Sequence, residues 1–167
     1  MTPAPAQPKP PRTAPAGAVE EAVLDATQTI ADKTREVLAD FKDGSWADEG
    51  LTGTRRAVDA LLDCWNEHLV LMRTLTAVAA EGDPRFIRGY HRVTKPAVLA
   101  LAAAIKRSHG PSTDKKTAKA LAHDLVTMLA AAAGQEGGTR VSGLTKAARR
   151  SSLALIVHST LTGIGEL

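Results

Sequence analysis

The stretch LLDCWNEHLVLMRTLTAVAAEGDPRF, residues 61–86, carries the pattern that decides the fold class. Its apolar residues recur at three- and four-residue steps, as the single buried face of an α-helix requires. Gly82 ends this pattern, and Asp83 and Pro84 then supply an N-cap followed by proline at the first helical position. The stretch therefore predicts a long helix over about residues 54–80 and a new helix that begins at Pro84.

The same periodicity covers most of the chain on either side of this stretch. Hydrophobic residues make up 44% of the sequence and aromatic residues only 3%, so alanine and leucine, the best helix formers, carry the apolar content. Pro96 lacks a backbone donor and is expected to break, kink or restart its helix near Thr94. We therefore predict an all-α bundle of five to six helices, with helices over residues 18–42, 54–80, 84–108, 114–133 and 142–163, an N-cap at Ser142, and loops at 45–53 and 134–140.

Residues 1–17 are rich in proline and alanine, and we expect them to form a disordered or polyproline-like arm ahead of a domain over residues 18–167. A peptide ligand of the PxxP type, through Pro5 and Pro8, is the alternative for this arm. No segment has the apolar h-region of a signal peptide or the length to span a bilayer. Because a lone cysteine fits a reducing compartment, we expect a cytoplasmic protein without membrane contact.

The sequence carries no recognisable catalytic or metal-binding motif. One cysteine and five scattered histidines do not form a ligand cluster, no serine lies in a glycine-rich elbow, and no glycine-rich loop carries the lysine of a phosphate site. We therefore expect no enzyme activity, no cofactor and no metal. The net charge of +3 is too small to argue nucleic-acid binding. The densest basic cluster is interpreted as a solvated helix start, with a phosphate contact as the alternative: Arg140, Lys146, Arg149 and Arg150.

The helix predicted over residues 54–80 carries a candidate pocket wall. Trp65 and Met72 fall on one of its stripes and offer a large, adaptable apolar surface, while His68 or Asp63 supplies a polar contact. Plain core packing is the alternative for this stripe. Cys64 is either a redox sensor or a small buried residue. With hydrogen-bonding groups from other helices included, the candidate ligand-binding residues are Trp65, His68, Leu69, Met72, Tyr90, His123, Thr127 and Met128.

The order of these features resembles the C-terminal regulatory domain of TetR-type transcriptional repressors. The matching text is CWNEHLVLMRTLTAVAAEGDPRF, in which Trp65 and His68 form a W-x-x-H pattern and an Asp-Pro break precedes Phe86. The resemblance covers about residues 18–167. It implies a ligand-responsive, dimeric regulatory domain that binds a small apolar molecule between its helices. Where the family has a three-helix DNA-binding head, this chain has the Pro/Ala arm, so we expect no direct DNA binding by this chain alone.

The resemblance also implies that the helices at 114–133 and 142–163 pair with their copies as a four-helix interface around a two-fold axis. Small side chains on these helices permit close approach, and leucines beside them supply area. The expected interface residues are Leu121, Leu125, Ala148, Ser151, Ser152, Leu155, His158 and Ser159. The alternative is that these faces close the core of the monomer. A second functional hypothesis is a helical protein-interaction module that pairs with itself or with a related regulator.

Overall fold

The computed structural model describes residues 16–111, 113–136, 143 and 145–163. Over these residues the backbone forms seven α-helices and no strand, which confirms the all-α prediction. Residues 1–15 of the expected arm lie outside the described residues, as do Arg140 and Ser142. The helices are α1 (Ala16–Val37), α2 (Ala39–Asp43), α3 (Gly50–Asn66), α4 (Leu69–Ala80), α5 (Pro84–Ser108), α6 (Lys115–Glu136) and α7 (Lys146–Thr162).

Two of the predicted long helices are each divided in two. The helix expected over residues 18–42 is interrupted at Leu38, whose backbone has φ −107° and ψ 16°. The helix expected over residues 54–80 is interrupted at His68, with φ −117° and ψ 30°. Both conformations lie outside the α-helical region. The interruptions redirect the chain, so that α2 packs against α5, and α4 packs against α5 and α6.

α5 runs without interruption through Pro96, so a break or a restart near Thr94 is wrong, while a kink there stays a prediction. Proline in a helix interior removes the hydrogen bond to the carbonyl of Arg92 and costs about 3 kcal/mol. Here Pro96 is buried, and so are its neighbours Val93 and Ala97. Burial of these side chains in the core offsets the lost hydrogen bond. α5 therefore remains one central helix, in contact with α1, α2, α4, α6 and α7.

The N-termini of α5 and α7 are both capped by side chains. Asp83 accepts a hydrogen bond from the backbone N–H of Arg85 at 2.9 Å, which confirms the predicted N-cap of α5. α7 begins at Lys146, four residues later than predicted. Its N-cap is Thr145, whose Oγ1 accepts a hydrogen bond from the backbone N–H of Ala148 at 3.1 Å.

The segment predicted as a loop, residues 45–53, contributes to the core, and the loop prediction is wrong. Its first three residues form a 3₁₀ turn, and α3 begins within it. Trp46 is only 3% exposed, with its ring centroid 5.5 Å from that of Phe41 and its plane edge-on to the ring of His158. Gly53 permits this close packing, because a Cβ there would lie 2.7 Å from the carbonyl oxygen of Trp46.

A single apolar core joins the seven helices. α1 packs along α5, while α3 packs against α1, α6 and α7. This arrangement places the break between α3 and α4 near α1, and places the start of α7 against α3 and the end of α6. The largest fully buried side chains are Ile30, Leu38, Phe41, Leu61, Leu62, Trp65, Leu75, Leu101, Ile105, Leu129 and Leu161.

Candidate ligand pocket and dimer face

Trp65, the centre of the predicted pocket wall, is fully buried between α3 and α1. Its indole Nε1 donates a hydrogen bond to Oγ1 of Thr34 at 3.1 Å, so the polar edge of the ring is satisfied inside the core. Cys64 beside it is 5% exposed. Burial raises the pKa of this thiol, although a hydrogen bond with Thr34 and the charge of Lys33 act in the opposite direction. The protonated, buried thiol fits a packing role better than a redox role.

His68 lies at the break between α3 and α4. Its Nε2 atom is buried and has no hydrogen-bond partner among the residues that the structure describes. Since buried polar atoms almost always have a partner, this nitrogen is a candidate contact for a ligand. The neighbouring Glu67 forms an ion pair with Lys33 at 2.9 Å, and the hydrogen bond from Lys33 lowers the pKa of that carboxyl. This ion pair links the break to α1.

The other candidate ligand-binding residues occupy α4, α5 and α6. Met72 is buried in the core, and Leu69 and Met128 are half-buried. Tyr90 is half-buried; burial raises the pKa of its hydroxyl, and a hydrogen bond with Thr127 acts in the opposite direction. The structure therefore brings Tyr90 and Thr127 together across α5 and α6. The side chain of His123 is exposed.

The predicted dimer residues of α7 divide into two faces. Ala148, Ser152 and Leu155 are exposed and recur at four- and three-residue steps, with half-buried Ser159 continuing the same stripe. Leu155 is 53% exposed, and its neighbour Ile156, which the sequence analysis did not select, is 47% exposed. We call the set Ala148, Ser152, Leu155, Ile156 and Ser159 the α7 stripe. It is a row of small and aliphatic side chains that the monomer leaves open.

The remaining predicted dimer residues lie in the core of the monomer or at its edge. Leu125 is 6% exposed and belongs to the core, and Leu121 is half-buried against it. Nδ1 of His158 lies 3.0 Å from Oγ1 of Thr54, so this ring joins α7 to α3. Ser151 is half-buried. For Leu125 and His158, the structure therefore corresponds to the alternative in which these positions close the monomer's core.

A charge cluster around the buried side chains of Arg150 and Glu136 joins α3, α6 and α7. Arg150 was interpreted as part of a solvated helix start, but it is 9% exposed, and that interpretation is wrong. Its guanidinium donates to Glu136 at 2.7 Å and to Asp63 at 2.6 Å, and lies 3.6 Å from Asp59. Lys146, one turn earlier, reaches the same Glu136 at 3.2 Å. Asp63 therefore serves this cluster instead of a ligand pocket.

The described part of the chain gives no sign of a metal site or a membrane span. Within it, no group of three or more histidine, cysteine, aspartate or glutamate side chains is placed to hold a metal ion. None of its helices is both long enough and apolar enough to cross a bilayer.

The described residues form an all-α domain with one apolar core and an exposed α7 stripe. The family described as tetracyclin repressor-like, C-terminal domain, matches residues 38–165, which covers α2 through α7. The chain therefore belongs to the tetracyclin repressor-like C-terminal domain family, and the resemblance inferred from residues 61–86 is confirmed. Membership assigns it to a class of regulatory ligand-binding and dimerisation domains. No curated protein and no solved structure matches the chain.

Proposed function

We propose that this chain is a dimeric, ligand-responsive regulatory domain that binds a small apolar molecule between its helices and does not itself bind DNA or catalyse a reaction. Family membership supports the regulatory class. We further propose that it acts in the cytoplasm. The second candidate is a helical interaction module that uses the same dimer surface to pair with a related regulator.

The observation that carries the ligand proposal is the buried Nε2 atom of His68, which has no hydrogen-bond partner within the described residues. An unpaired buried nitrogen costs about 1–3 kcal/mol, and a ligand hydroxyl or carbonyl recovers that free energy by bonding to it. Trp65 and Met72, three residues before and four residues after His68 in the sequence, are both buried, and their side chains are apolar. We therefore expect a ligand that is mostly apolar and carries one polar group.

The α7 stripe supports the dimer proposal. Leu155 and Ile156 are about half exposed in the monomer, and each gains about 1 kcal/mol when a second copy covers the exposed half. The small side chains of Ala148 and Ser152 permit a close helix approach beside them. A two-fold axis through the stripe places two copies of α7 against each other, as closed dimers require.

Light scattering on Leu155→Asp tests the dimer. The substituted residue is exposed in the monomer, so we expect a folded helical monomer in place of a dimer, with the fold checked by circular dichroism. Val70→Asp is the matched control, because Val70 is an aliphatic residue that is 80% exposed and belongs to α4 instead of α7. A dimer that survives Leu155→Asp, or one that Val70→Asp also dissociates, would contradict the α7 interface.

A neutral apolar dye, N-phenyl-1-naphthylamine, tests the interior pocket. We expect it to raise the melting temperature by mass action and to quench tryptophan fluorescence. Both tryptophans are buried, so the Trp46→Phe variant should keep the quenching and the Trp65→Phe variant should lose it. A His68→Ala variant should bind a dye analogue bearing a hydroxyl no better than the parent dye. Quenching that follows Trp46 would place the site elsewhere.

Two further measurements separate the candidate functions. Fluorescence anisotropy with genomic DNA fragments should show no sequence-specific binding by this chain. Native mass spectrometry should show only homodimers when the chain is mixed with a related regulator; mixed dimers would favour the interaction module over the ligand-responsive domain.

A further inference from the structure

A groove opens on the domain surface between the end of α1, the short α2 and the middle of α5. Its volume is about 440 Å³, which is within the range of roughly 300–1,000 Å³ that small-molecule sites occupy. Leu38, Pro96 and Ala100 form a buried apolar floor. Leu99 stands at the edge, where 54% of its surface is exposed, one of the largest aliphatic exposures in the described residues.

Four cationic side chains line the rim of this groove: Arg35, Lys42, Arg92 and Lys95. Arg35 forms an ion pair with Asp32 on its own helix. The side chains of Lys42, Arg92 and Lys95 lie within 4 Å of no carboxylate in the residues that the structure describes. The two acids of α2 have other partners: Asp40 pairs with Arg56 at 2.8 Å, and Asp43 accepts a hydrogen bond from the backbone N–H of Ser45 at 2.9 Å. The rim therefore carries a net positive charge over an apolar floor.

The order of residues along α5 gives the groove a cationic end and an apolar end. Arg92 and Lys95 are three residues apart, on one face of α5, and both are exposed. Leu99 follows Lys95 by one turn. An anion between Arg92 and Lys95 therefore has an apolar surface beside it in the direction of the C-terminus of α5.

We propose that this groove binds a small amphiphile with an anionic head, a free carboxylate, and an apolar body. The head contacts Arg92 and Lys95, and the body lies on Leu38, Pro96 and Leu99. A nucleic acid would make no use of the apolar floor, and a membrane surface would contact a protruding face rather than a groove. The groove shares no lining residue with the candidate residues of the interior pocket, so it adds a second site to the proposed function.

Isothermal titration calorimetry of the whole chain with monomeric sodium decanoate tests this proposal. We expect decanoate to bind, and 1-decanol to bind about tenfold more weakly because it lacks the charge. The double variant Arg92→Gln/Lys95→Gln should weaken decanoate binding about tenfold, and so should Leu99→Glu, which puts a negative charge at the apolar edge. Added salt should weaken binding, because exposed cations are screened.

Arg88→Gln/Lys106→Gln is the matched control, since both residues are exposed cations on α5 that do not line the groove. It should leave the affinity unchanged, with circular dichroism confirming the fold of every variant. Equal binding of decanol and decanoate would overturn the anionic specificity, and an unaffected Arg92→Gln/Lys95→Gln variant would overturn the site. Binding only to phosphatidylglycerol vesicles and not to decanoate would overturn the proposal in favour of a membrane surface.

The interior pocket and the groove are distinguishable in the same experiment. Decanoate binding should persist in His68→Ala, and its loss there, with retention in Arg92→Gln/Lys95→Gln, would overturn the groove proposal. Failure of the neutral dye to bind would contradict the interior pocket while leaving the groove untouched.

Discussion

Replacing Arg150 by methionine should be among the more destabilising single substitutions in this chain. The side chain of Arg150 is 11% exposed and that of Glu136 only 5% exposed, so the substitution leaves a buried carboxylate without its main partner. Breaking a buried ion pair costs about 3–5 kcal/mol. Lys146 remains 3.2 Å from Glu136 and compensates in part. The more exposed Asp63 adds little, because exposed pairs contribute about 0–1 kcal/mol.

We therefore expect Arg150→Met to lower the free energy of unfolding by about 2–4 kcal/mol, measured by urea titration and circular dichroism. For a chain of this size, that corresponds to a fall of roughly 4–16 °C in the melting temperature. Arg149→Met is the matched control, since Arg149 precedes it on α7 and loses only a hydrogen bond to the neutral Gln135. Its cost should stay at or below about 1 kcal/mol.

A double variant tests whether the lost stability comes from the unpaired carboxylate of Glu136. Arg150→Met/Glu136→Leu removes both charges, and replacing a buried ion pair with apolar residues is often neutral. It should recover most of the stability that the single variant loses. A double variant less stable than Arg150→Met, or an Arg150→Met no worse than Arg149→Met, would refute the buried ion-pair interpretation.

The pH dependence of the same pair provides a second check. Burial alone would raise the pKa of Glu136, but the hydrogen bonds from Arg150 and Lys146 outweigh it and hold the pKa below its usual value of 4.5. Because the folded state binds this proton more weakly, the pair contributes its full stability above pH 4.5 and loses it as the pH falls through the lowered pKa. The stability gap between the wild type and Arg150→Met should therefore narrow below pH 4.5.

Three further predictions concern the core. Gly53→Ala should lower the free energy of unfolding by about 1–3 kcal/mol, because the new Cβ would lie 2.7 Å from a backbone carbonyl oxygen. Gly134→Ala is the control, since its Cβ meets nothing within 4 Å, and urea titration should show no loss of stability. Thr34→Val should cost about 1–3 kcal/mol by leaving Nε1 of Trp65 unpaired; an unchanged urea midpoint would contradict the hydrogen bond. The thiol of Cys64 is 5% exposed and has a raised pKa, so it should react with dithiobis(nitrobenzoate) in urea but not in native buffer.

The helical character of the chain was predictable from the sequence, because apolar side chains recur every three or four residues. The interruptions at Leu38 and His68 were not. The N-cap at Asp83 was predictable as well, since it depends only on adjacent residues. The continuation of α5 through Pro96 was not. The hydrogen bond lost at Pro96 is a local effect that the sequence shows, whereas the compensating burial of Val93 and Ala97 depends on packing against other helices.

The predictions for Trp46 and Arg150 were wrong for the same physical reason, which is that their partners are distant in the sequence. Trp46 lies among three glycines, which signal a loop, but its burial depends on Phe41 and on His158 of the last helix. Arg150 lies in a basic run, which usually marks a solvated surface, but its carboxylate partners come from α3 and α6. Only the four-residue spacing of Asp59 and Asp63 on α3 indicated a shared face that could hold such a cation. The groove could not be predicted from the sequence either, because α1, α2 and α5 meet only in the folded chain.

Adjacent residues in the last turn of α1 belong to the surroundings of the two proposed sites. Thr34 accepts the hydrogen bond of Trp65 from the α3 side, and the next residue, Arg35, lines the groove on the α5 side. A ligand shifts an equilibrium only by as much as its affinity differs between the two conformations. If α1 has two positions relative to α5, ligands in the two proposed sites would act on the same turn and therefore on the same equilibrium. Two ligands that favour the same position would then bind cooperatively, and the coupling would be equal in both directions.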